Sequence, residues 1–195
     1  MVNSRNVAVI GLGSMGYGIA SSLLRAGATV TGFDVVEAQV ELLASEGGQR
    51  GEIMSVAPTL ETTVVVVLNA AQTESVLFGS NGIVPHMRTG ACVVSCATVS
   101  PDFARSMADR CAAHSVLYLD APISGGSVKA ALGQLSVMAS GSREAFAAAR
   151  AELDGMAETV FELGDTIGAG SAMKAVNQLL AGVHIASMAE AMSFG

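Results

Sequence analysis

Apolar residues in this chain alternate between short continuous runs and longer stretches with helical spacing. The short runs predict strands, and the continuous β-branched run Val64–Leu68 is typical of a strand covered on both faces of a parallel sheet. They are Val7–Ile10, Ala28–Phe33, Val64–Leu68, Ala91–Ser95, Val116–Leu119, Gln134–Ala139 and Thr159–Leu163. Helices are expected between them, at Ser14–Ala26, Val36–Ser45, Thr73–Phe78, Pro101–Ala113 and Arg143–Leu153. This alternation predicts an α/β fold with a doubly wound sheet.

Two segments depart from the alternation. Gln49–Glu61 has no clear hydrophobic period, and we predict a short strand around Ile53 and Met54. Ala169–Phe194 is one long helical pattern that only Gly182 interrupts. Two neighbouring stripes run along it, one of Met173, Val176, Leu180, Val183 and Ser187, the other of Lys174, Asn177, Ala181 and His184.

A glycine-rich turn, Gly11-Leu12-Gly13-Ser14-Met15-Gly16, lies between the first strand and the first helix. Strand, glycine turn and helix in this order are the context of a dinucleotide-binding fingerprint. Gly11 permits the tight turn, Gly13 leaves room for a pyrophosphate, and Gly16 lets the helix pack closely on the strand. The helix N-terminus offers N–H groups and the positive end of its dipole to phosphates. The turn therefore predicts a dinucleotide cofactor, with an ordinary glycine-rich turn as the alternative.

Asp34 ends the second strand and bears on which cofactor is bound. A carboxylate at this place can accept hydrogen bonds from both hydroxyls of the adenosine ribose. It also repels a 2′-phosphate, and the following Val35 and Val36 supply no arginine to attract one. The sequence therefore favours NAD over NADP. A plain N-cap of the next helix is compatible with the same position.

Polar and small residues follow the next strands. Ligands of a doubly wound sheet bind beyond the carboxyl ends of its strands. Asn69 and Ala70 follow the third strand and Thr98 follows the fourth, so we expect all three to wall the cofactor site. Thr98 is expected at the nicotinamide end. For Asn69 and Thr98, capping of the following helix is the alternative reading.

The segment Ser124-Gly125-Gly126 leaves the fifth predicted strand. It can present a hydroxyl and several backbone N–H groups on a concave surface, which suits a carboxylate. A glycine loop without function explains the same residues equally well. Lys174 and Asn177 lie on one face of the last helix, but a lysine on a helix is ordinarily a solvated surface residue.

Composition narrows the possible classes. The chain has 195 residues, of which 51% are hydrophobic and 14% are charged. This is enough for one well-packed domain with an additional segment. A formal net charge of −7 with scattered basic residues argues against a nucleic-acid partner. No signal peptide or membrane-length apolar run is visible, so we expect no membrane partner and a cytoplasmic location. Cys92, Cys96 and Cys111 lack metal-ligand spacing, so we expect buried core residues and no metal.

Four blocks of sequence together resemble the β-hydroxyacid dehydrogenases, the family that includes 3-hydroxyisobutyrate dehydrogenase and tartronate semialdehyde reductase. The blocks are the turn Gly11–Gly16, Thr98 with Pro101, Asp120–Gly126 and Gly168–Asn177. They follow the order of the family and span nearly the whole chain. Two further stretches, Leu68–Gln72 and Gln178–Ala186, resemble the members that act on L-threonate.

The resemblance implies reversible hydride transfer between NAD and a small hydroxy acid, with oxidation of L-threonate to 2-oxo-tetronate as the expected reaction. It implies that Lys174 is the catalytic acid–base residue and that Ser124, Gly125, Gly126 and Asn177 bind the substrate. Other substrates in the family are 3-hydroxyisobutyrate, tartronate semialdehyde and glyoxylate. A non-catalytic NAD-binding fragment is the alternative from another class.

The resemblance also bears on domain organisation, because relatives continue into an all-helical C-terminal domain that completes the substrate pocket and the dimer. We therefore expect residues 1–165 to form a Rossmann-type NAD-binding domain. Residues 166–195 are expected to be an interdomain helix at the start of a helical domain that this chain lacks. A homo-oligomer, either a dimer or a tetramer, is expected for the full-length form.

Overall fold

The computed structural model describes residues 5–194, and a parallel sheet lies at its centre. The strands are β1 (Asn6–Ile10), β2 (Thr29–Phe33), β3 (Thr62–Val65), β4 (Cys92–Ser95), β5 (Leu117–Asp120), β6 (Ile123–Ser124), β7 (Leu135–Ala139) and β8 (Ala157–Glu162). The first five form one parallel sheet in the order β2-β1-β3-β4-β5. The doubly wound α/β fold that the sequence predicts is therefore confirmed.

Helices connect the strands and cover both faces of the sheet. They are α1 (Ser14–Arg25), α2 (Glu37–Ser45), α3 (Ile53–Val56), α4 (Ala70–Phe78), α5 (Pro101–Ala113), α6 (Gly126–Leu132), α7 (Arg143–Ala148), α8 (Arg150–Met156) and α9 (Ala169–Phe194). Alternate residues of β1 supply the two halves of the core, Val7 and Val9 on one face, Ala8 and Ile10 on the other. Burial on both faces explains why these strands are almost continuously apolar.

The register of the parallel sheet aligns the carboxyl ends of its strands. Ile10 pairs with Phe33 on one side and with Val65 on the other. Val65 pairs with Ser95, and Ser95 pairs with Asp120. The residues that follow these five ends consequently emerge along one edge of the sheet.

The last three strands form a second, smaller sheet, which the sequence pattern did not separate from the first. Its order is β6-β7-β8, with β6 antiparallel and β8 parallel to β7. Asp120 and Ser140 join the two sheets, because each backbone N–H donates to the other's carbonyl at 3.0 and 2.9 Å. This junction sets the position of everything that follows β5.

The predicted strand around Ile53 and Met54 is wrong, because these residues begin the short helix α3. Ile53 and Val56 are three positions apart, so one helical turn packs both against the core. The strand of this region is reduced to a single parallel bridge between Gln49 and Thr31 at the outer edge of β2. Counting that bridge, the sheet has the 3-2-1-4-5-6 order of the Rossmann fold.

Other differences from the predicted elements are local. The third strand ends at Val65, and Leu68 beyond it is exposed. The predicted helix Arg143–Leu153 is divided into α7 and α8 at Ala149, whose ψ of 6° leaves the helical range. Helix α6 follows the Ser124–Gly126 segment directly, and its presence was not predicted.

The three cysteines are buried core residues, as expected. Burial raises the pKa of the Cys96 and Cys111 thiols to about 12, so both stay protonated at neutral pH. Burial also raises the pKa of the Cys92 thiol. Uncharged thiols of this kind act as small apolar side chains.

Helix α9 shows its apolar stripe to solvent. Met173, Val176, Leu180 and Val183 each keep about half of their surface exposed. The buried residues of α9 instead lie in its first turns, at Gly170, Ser171 and Lys174. Within residues 5–194, no helix is both long enough and apolar enough to cross a membrane.

An ion pair between the half-buried Arg5, just before β1, and the buried Glu152 connects β1 to α8. Glu152 is 1% exposed and accepts from the Arg5 Nε at 2.7 Å and from the Thr62 hydroxyl at 3.1 Å. Arg5 also donates to the Ala148 carbonyl at 2.6 Å and pairs with Glu61 at 3.0 Å. The pair therefore links three segments that are distant in sequence.

Replacing Glu152 by alanine should destabilise the fold, because Arg5 and the Thr62 hydroxyl would lose a buried acceptor. We expect the free energy of unfolding to fall by about 2 kcal/mol, since part of Arg5 remains in water. Urea denaturation at pH 7 measures the change. The control is Asp154→Ala, which breaks an exposed pair with Arg150 and should cost less than about 0.5 kcal/mol. Equal losses in the two variants would contradict the structural role of Glu152.

Candidate active site

Two positions of the glycine-rich turn cannot carry a side chain. Gly11 has a φ of +92°, and a Cβ there would lie 2.4 Å from the Val66 carbonyl oxygen. A Cβ at Gly16 would lie 1.8 Å from the Gly11 carbonyl oxygen. These contacts bring α1 close to the end of β1.

Gly13 is different, because a Cβ there would meet nothing within 4 Å. It is the N-cap of α1, so a ligand can approach the first N–H groups of the helix from this open side. Ser14 is exposed and Met15 is partly buried beside it. Leu12 is fully buried, so only its backbone faces the turn. This geometry fits the pyrophosphate of a dinucleotide.

Asp34 lies beside the same turn. Its Oδ2 accepts from the Leu12 N–H at 2.6 Å, and its Oδ1 accepts from the Val36 N–H at 2.8 Å. The N-cap of α2 is Val36, so the alternative reading of Asp34 as that N-cap is wrong. The two backbone bonds fix the carboxylate in place, and each oxygen retains a lone pair for a ribose hydroxyl.

A cavity of about 950 Å³ opens along the edge of the sheet next to Asp34. Gly11, Gly13 and Asp34 line it together with apolar side chains of which Ile10, Val40 and Val76 are examples. An apolar cleft with a few placed polar groups is typical of a small-molecule site. Its size and its place beyond the strand ends fit the adenosine half of a dinucleotide. Glu37, Arg50 and Glu52 also line the cavity, and no motif in the sequence points to them.

Asn69, Ala70 and Thr98 lie at the same edge of the sheet, as their positions after β3 and β4 require. The Asn69 side chain caps α4, since its Oδ1 accepts from the Gln72 N–H at 3.0 Å, and Ala70 is the first residue of that helix. Thr98 is exposed, and the cap of α5 is Ser100 rather than Thr98. The capping alternative thus holds for Asn69 and is wrong for Thr98.

The Ser124–Gly126 segment is a defined turn from a strand into a helix. Ser124 belongs to β6 and pairs with Ser136 of β7. Gly125 and Gly126 have φ values of +137° and +79°, a backbone that favours glycine. Both glycines are exposed, so their backbone groups remain accessible to a ligand.

The first turn of α9 is fixed to the end of β5 by hydrogen bonds. The Asp120 carboxylate is 1% exposed and accepts from the Ser171 N–H at 2.8 Å and from its hydroxyl at 2.7 Å. The Ser140 hydroxyl accepts from the Gly170 N–H at 3.1 Å. A Cβ at Gly170 would lie 2.4 Å from the Met138 carbonyl oxygen, so only glycine permits this approach. The sequence did not single out Asp120, Ser140 or Ser171 for this contact.

Lys174 lies one turn beyond Ser171 on the same face of α9. It is 7% exposed, and within the described residues its side-chain amino group forms no hydrogen bond or ion pair. Burial lowers the pKa of its amino group, because the charged form loses water without gaining a counter-charge. Asn177 is partly buried on the same face. A lysine with these surroundings can exchange a proton closer to neutral pH than a solvated one.

Comparisons with known proteins identify relatives of similar sequence and fold. The family described as the NAD binding domain of 6-phosphogluconate dehydrogenase matches residues 6–164. An L-threonate dehydrogenase of Cupriavidus necator is 46% identical over 193 residues, covering 98% of this chain and 65% of that protein. An L-threonate dehydrogenase of Pectobacterium atrosepticum is 43% identical, covering 96% of this chain and 62% of that protein.

A crystal structure of 3-hydroxyisobutyrate dehydrogenase from Salmonella typhimurium has a TM-score of 0.92 and 43% sequence identity to this chain. It matches 97% of this chain and 66% of its own. The chain therefore spans less than two thirds of the length of the curated relatives above.

The hydrogen bonds between Asp120 and Ser171 give a stability prediction. Ser171→Ala removes one donor to a buried carboxylate, and we expect a loss of about 1 kcal/mol in the free energy of unfolding at pH 8. Burial already raises the pKa of Asp120, and losing a donor to its charged form raises it further. Below that pKa the protonated group no longer needs the donor, so the loss should shrink as the pH is lowered towards the pKa of Asp120.

Ser187→Ala is the matched control, because Ser187 is exposed on the same helix. Urea denaturation of both variants from pH 8 down to the lowest pH at which the protein stays folded measures the effect. A pH-independent loss in Ser171→Ala, or an equal loss in Ser187→Ala, would argue against an ionised Asp120 at this contact.

Proposed function

The chain belongs to the family of the 6-phosphogluconate dehydrogenase NAD-binding domain, together with NAD-dependent hydroxyacid dehydrogenases. We propose that it oxidises a small hydroxy acid with Lys174 as general base. The family resemblance stated from the sequence is thereby confirmed. The observation that carries the proposal is the buried lysine at the edge of the sheet where the strands end.

The residues along that edge fit NAD. When bound, NAD would accept the hydride from the substrate. In the proposal, the open side of Gly13 and the N-terminus of α1 receive the pyrophosphate. Asp34 accepts the adenosine ribose hydroxyls, while the Leu12 and Val36 N–H groups hold its carboxylate in place. Asn69, Ala70 and Thr98 are proposed to wall the site towards the nicotinamide end.

Lys174 is proposed to take the proton of the substrate hydroxyl during oxidation and to return it during reduction. A base must be neutral for part of its cycle, and burial moves the pKa of Lys174 in that direction. The two hydrogen bonds that Ser171 donates to Asp120 keep the first turn of α9 in place, so the amino group of Lys174 stays oriented. Positioning of this kind is a large part of enzymatic rate enhancement.

The substrate carboxylate is proposed to bind at the Ser124, Gly125 and Gly126 turn. The Ser124 hydroxyl and the exposed backbone of the two glycines supply donors there, and Asn177 holds a substrate oxygen from α9. Residues 1–165 would thus hold the cofactor, and residues 166–195 would carry Lys174 and Asn177. A homo-oligomer of the whole protein remains part of the proposal.

L-Threonate is the substrate proposed first, because both curated relatives above carry that activity in their names. The structural relative is named for 3-hydroxyisobutyrate, which keeps that acid as the second candidate. We expect kcat/KM with NAD to be highest for L-threonate in a panel that includes 3-hydroxyisobutyrate and, in the reverse direction, tartronate semialdehyde and glyoxylate. A higher value for any other member of the panel would replace L-threonate. Turnover of none of them by the whole protein would favour a non-catalytic NAD-binding role.

The role of Lys174 is tested by substitution. Lys174→Ala should leave the melting temperature and NAD affinity nearly unchanged and lower kcat about 10²- to 10⁴-fold, the usual contribution of a positioned acid–base group. Lys174→Arg should not restore activity, because a guanidinium does not release its proton near neutral pH. Gln178→Ala, on the exposed side of the same helix, is the control and should keep full activity.

The pH profile separates proton transfer from a structural effect. Oxidation needs the neutral amine, so kcat should rise with pH through the pKa of Lys174, with a midpoint below the ordinary lysine value of about 10.4. The rise should disappear in Lys174→Ala. Wild-type kcat in that variant, or an unchanged pH profile, would leave the proposed mechanism without its base.

A further inference from the structure

The chain segment after α2 brings an arginine to the cofactor cavity. Gln49 accepts from the Gly32 N–H at 3.1 Å and donates to the Val30 carbonyl at 2.7 Å, so it runs parallel to β2 along its outer edge. Arg50 follows and therefore lies at the carboxyl end of β2, the end that leads into Asp34. Arg50 and Asp34 line the same cavity.

Arg50 is held by carboxylates of α2. Its Nη2 lies 2.8 Å from Glu37 Oε1, and its Nη1 lies 3.7 Å from Glu41 Oε1. About half of the arginine side chain and more than half of each glutamate side chain is exposed to water. Ion pairs this exposed contribute little, so the guanidinium can change partner at small cost.

The charges lining the cavity set what can enter it. Of the described residues that line it, Arg50 alone carries a positive charge, whereas Asp34, Glu37 and Glu52 are carboxylates. This excess of negative charge opposes a phosphate on the adenosine ribose. A guanidinium nevertheless binds phosphate in a bidentate manner more strongly than it binds a single exposed carboxylate oxygen.

We propose that Arg50 is a latent ligand for the 2′-phosphate of NADP, held by Glu37 and Glu41. Selection of NAD then depends mainly on Asp34, with a smaller contribution from the glutamates that pair with Arg50, and not on a lack of arginine. From the sequence only Val35 and Val36, the residues directly after Asp34, were considered, whereas Arg50 reaches the cavity from a later segment. The proposal rests on the cofactor site and is independent of which hydroxy acid is oxidised.

The test is a set of dissociation constants for NAD and NADP, measured by isothermal titration calorimetry at low and high salt. The variants are Asp34→Ser, Arg50→Gln, the Asp34→Ser/Arg50→Gln double variant, and Glu37→Gln. Asp34→Ser should tighten NADP binding at least about tenfold and weaken NAD binding, because repulsion and a ribose acceptor are both removed. Adding Arg50→Gln should abolish most of the gain for NADP and change NAD affinity less than about twofold.

Glu37→Gln isolates the restraint on Arg50. It should tighten NADP binding about threefold while Arg50 is present, and high salt should reduce this gain. Arg150→Gln is the matched control, because it removes an exposed arginine of α8 that does not line the cavity and should alter neither dissociation constant.

The outcomes distinguish the role of Arg50 from the cofactor site itself. Arg50→Gln that weakens NAD and NADP equally, or that leaves the NADP gain of Asp34→Ser intact, would overturn the proposal while the NAD site stands. Wild-type protein that binds neither dinucleotide would contradict the cofactor site and this proposal together.

Discussion

The parallel register of the central sheet is the constraint on which the rest of the structure depends. Backbone hydrogen bonds align Ile10, Phe33, Val65, Ser95 and Asp120, so five loops leave the sheet along one edge. The glycine turn, Asp34, Asn69, Thr98 and the bonds to α9 all occur in those loops. Residues that are far apart in sequence come together because the sheet ends there, which is how open α/β sheets build ligand sites.

Burial lowers the pKa of the Lys174 amino group, and a hydrogen-bonded contact at the start of α9 keeps the residue buried. The Asp120 carboxylate and the Ser140 hydroxyl hold the first turn of α9 against the junction of the two sheets. Gly170 permits the close approach, since any side chain there would collide with backbone carbonyls. Desolvation without a counter-charge then lowers the pKa of the lysine. Further along, the same helix turns its apolar stripe to water, so the contact at its start fixes α9 more than hydrophobic packing does.

Electrostatics of the cofactor cavity combine local and distant parts of the chain. Asp34 is fixed by backbone groups from its own strand end and from the glycine turn. Arg50 arrives by a different route, through the single bridge of Gln49 that remains of an edge strand. Glu37 and Glu41 of α2 form ion pairs with the Arg50 guanidinium but leave it exposed to water. The effect of this positive charge therefore depends on the ligand that enters the cavity. In the proposal above, selectivity for NAD is a balance of these charges rather than the property of Asp34 alone.

The sequence by itself determined the alternation of strands and helices, the glycine turn and the bounds of α5 and α9, because local periodicity and caps carry that information. Motif resemblance, rather than periodicity, singled out Lys174 and the Ser124–Gly126 segment. Only the tertiary structure decided that the last three strands form a separate sheet, that Ile53 begins a helix, and that α9 buries Gly170, Ser171 and Lys174 in its first turns while its apolar stripe is exposed. It also decided that Arg50 lies in the cavity with Asp34 and that Asp120 holds Ser171. These facts depend on contacts between residues distant in sequence, and a pattern of neighbouring residues does not encode which partner each one meets.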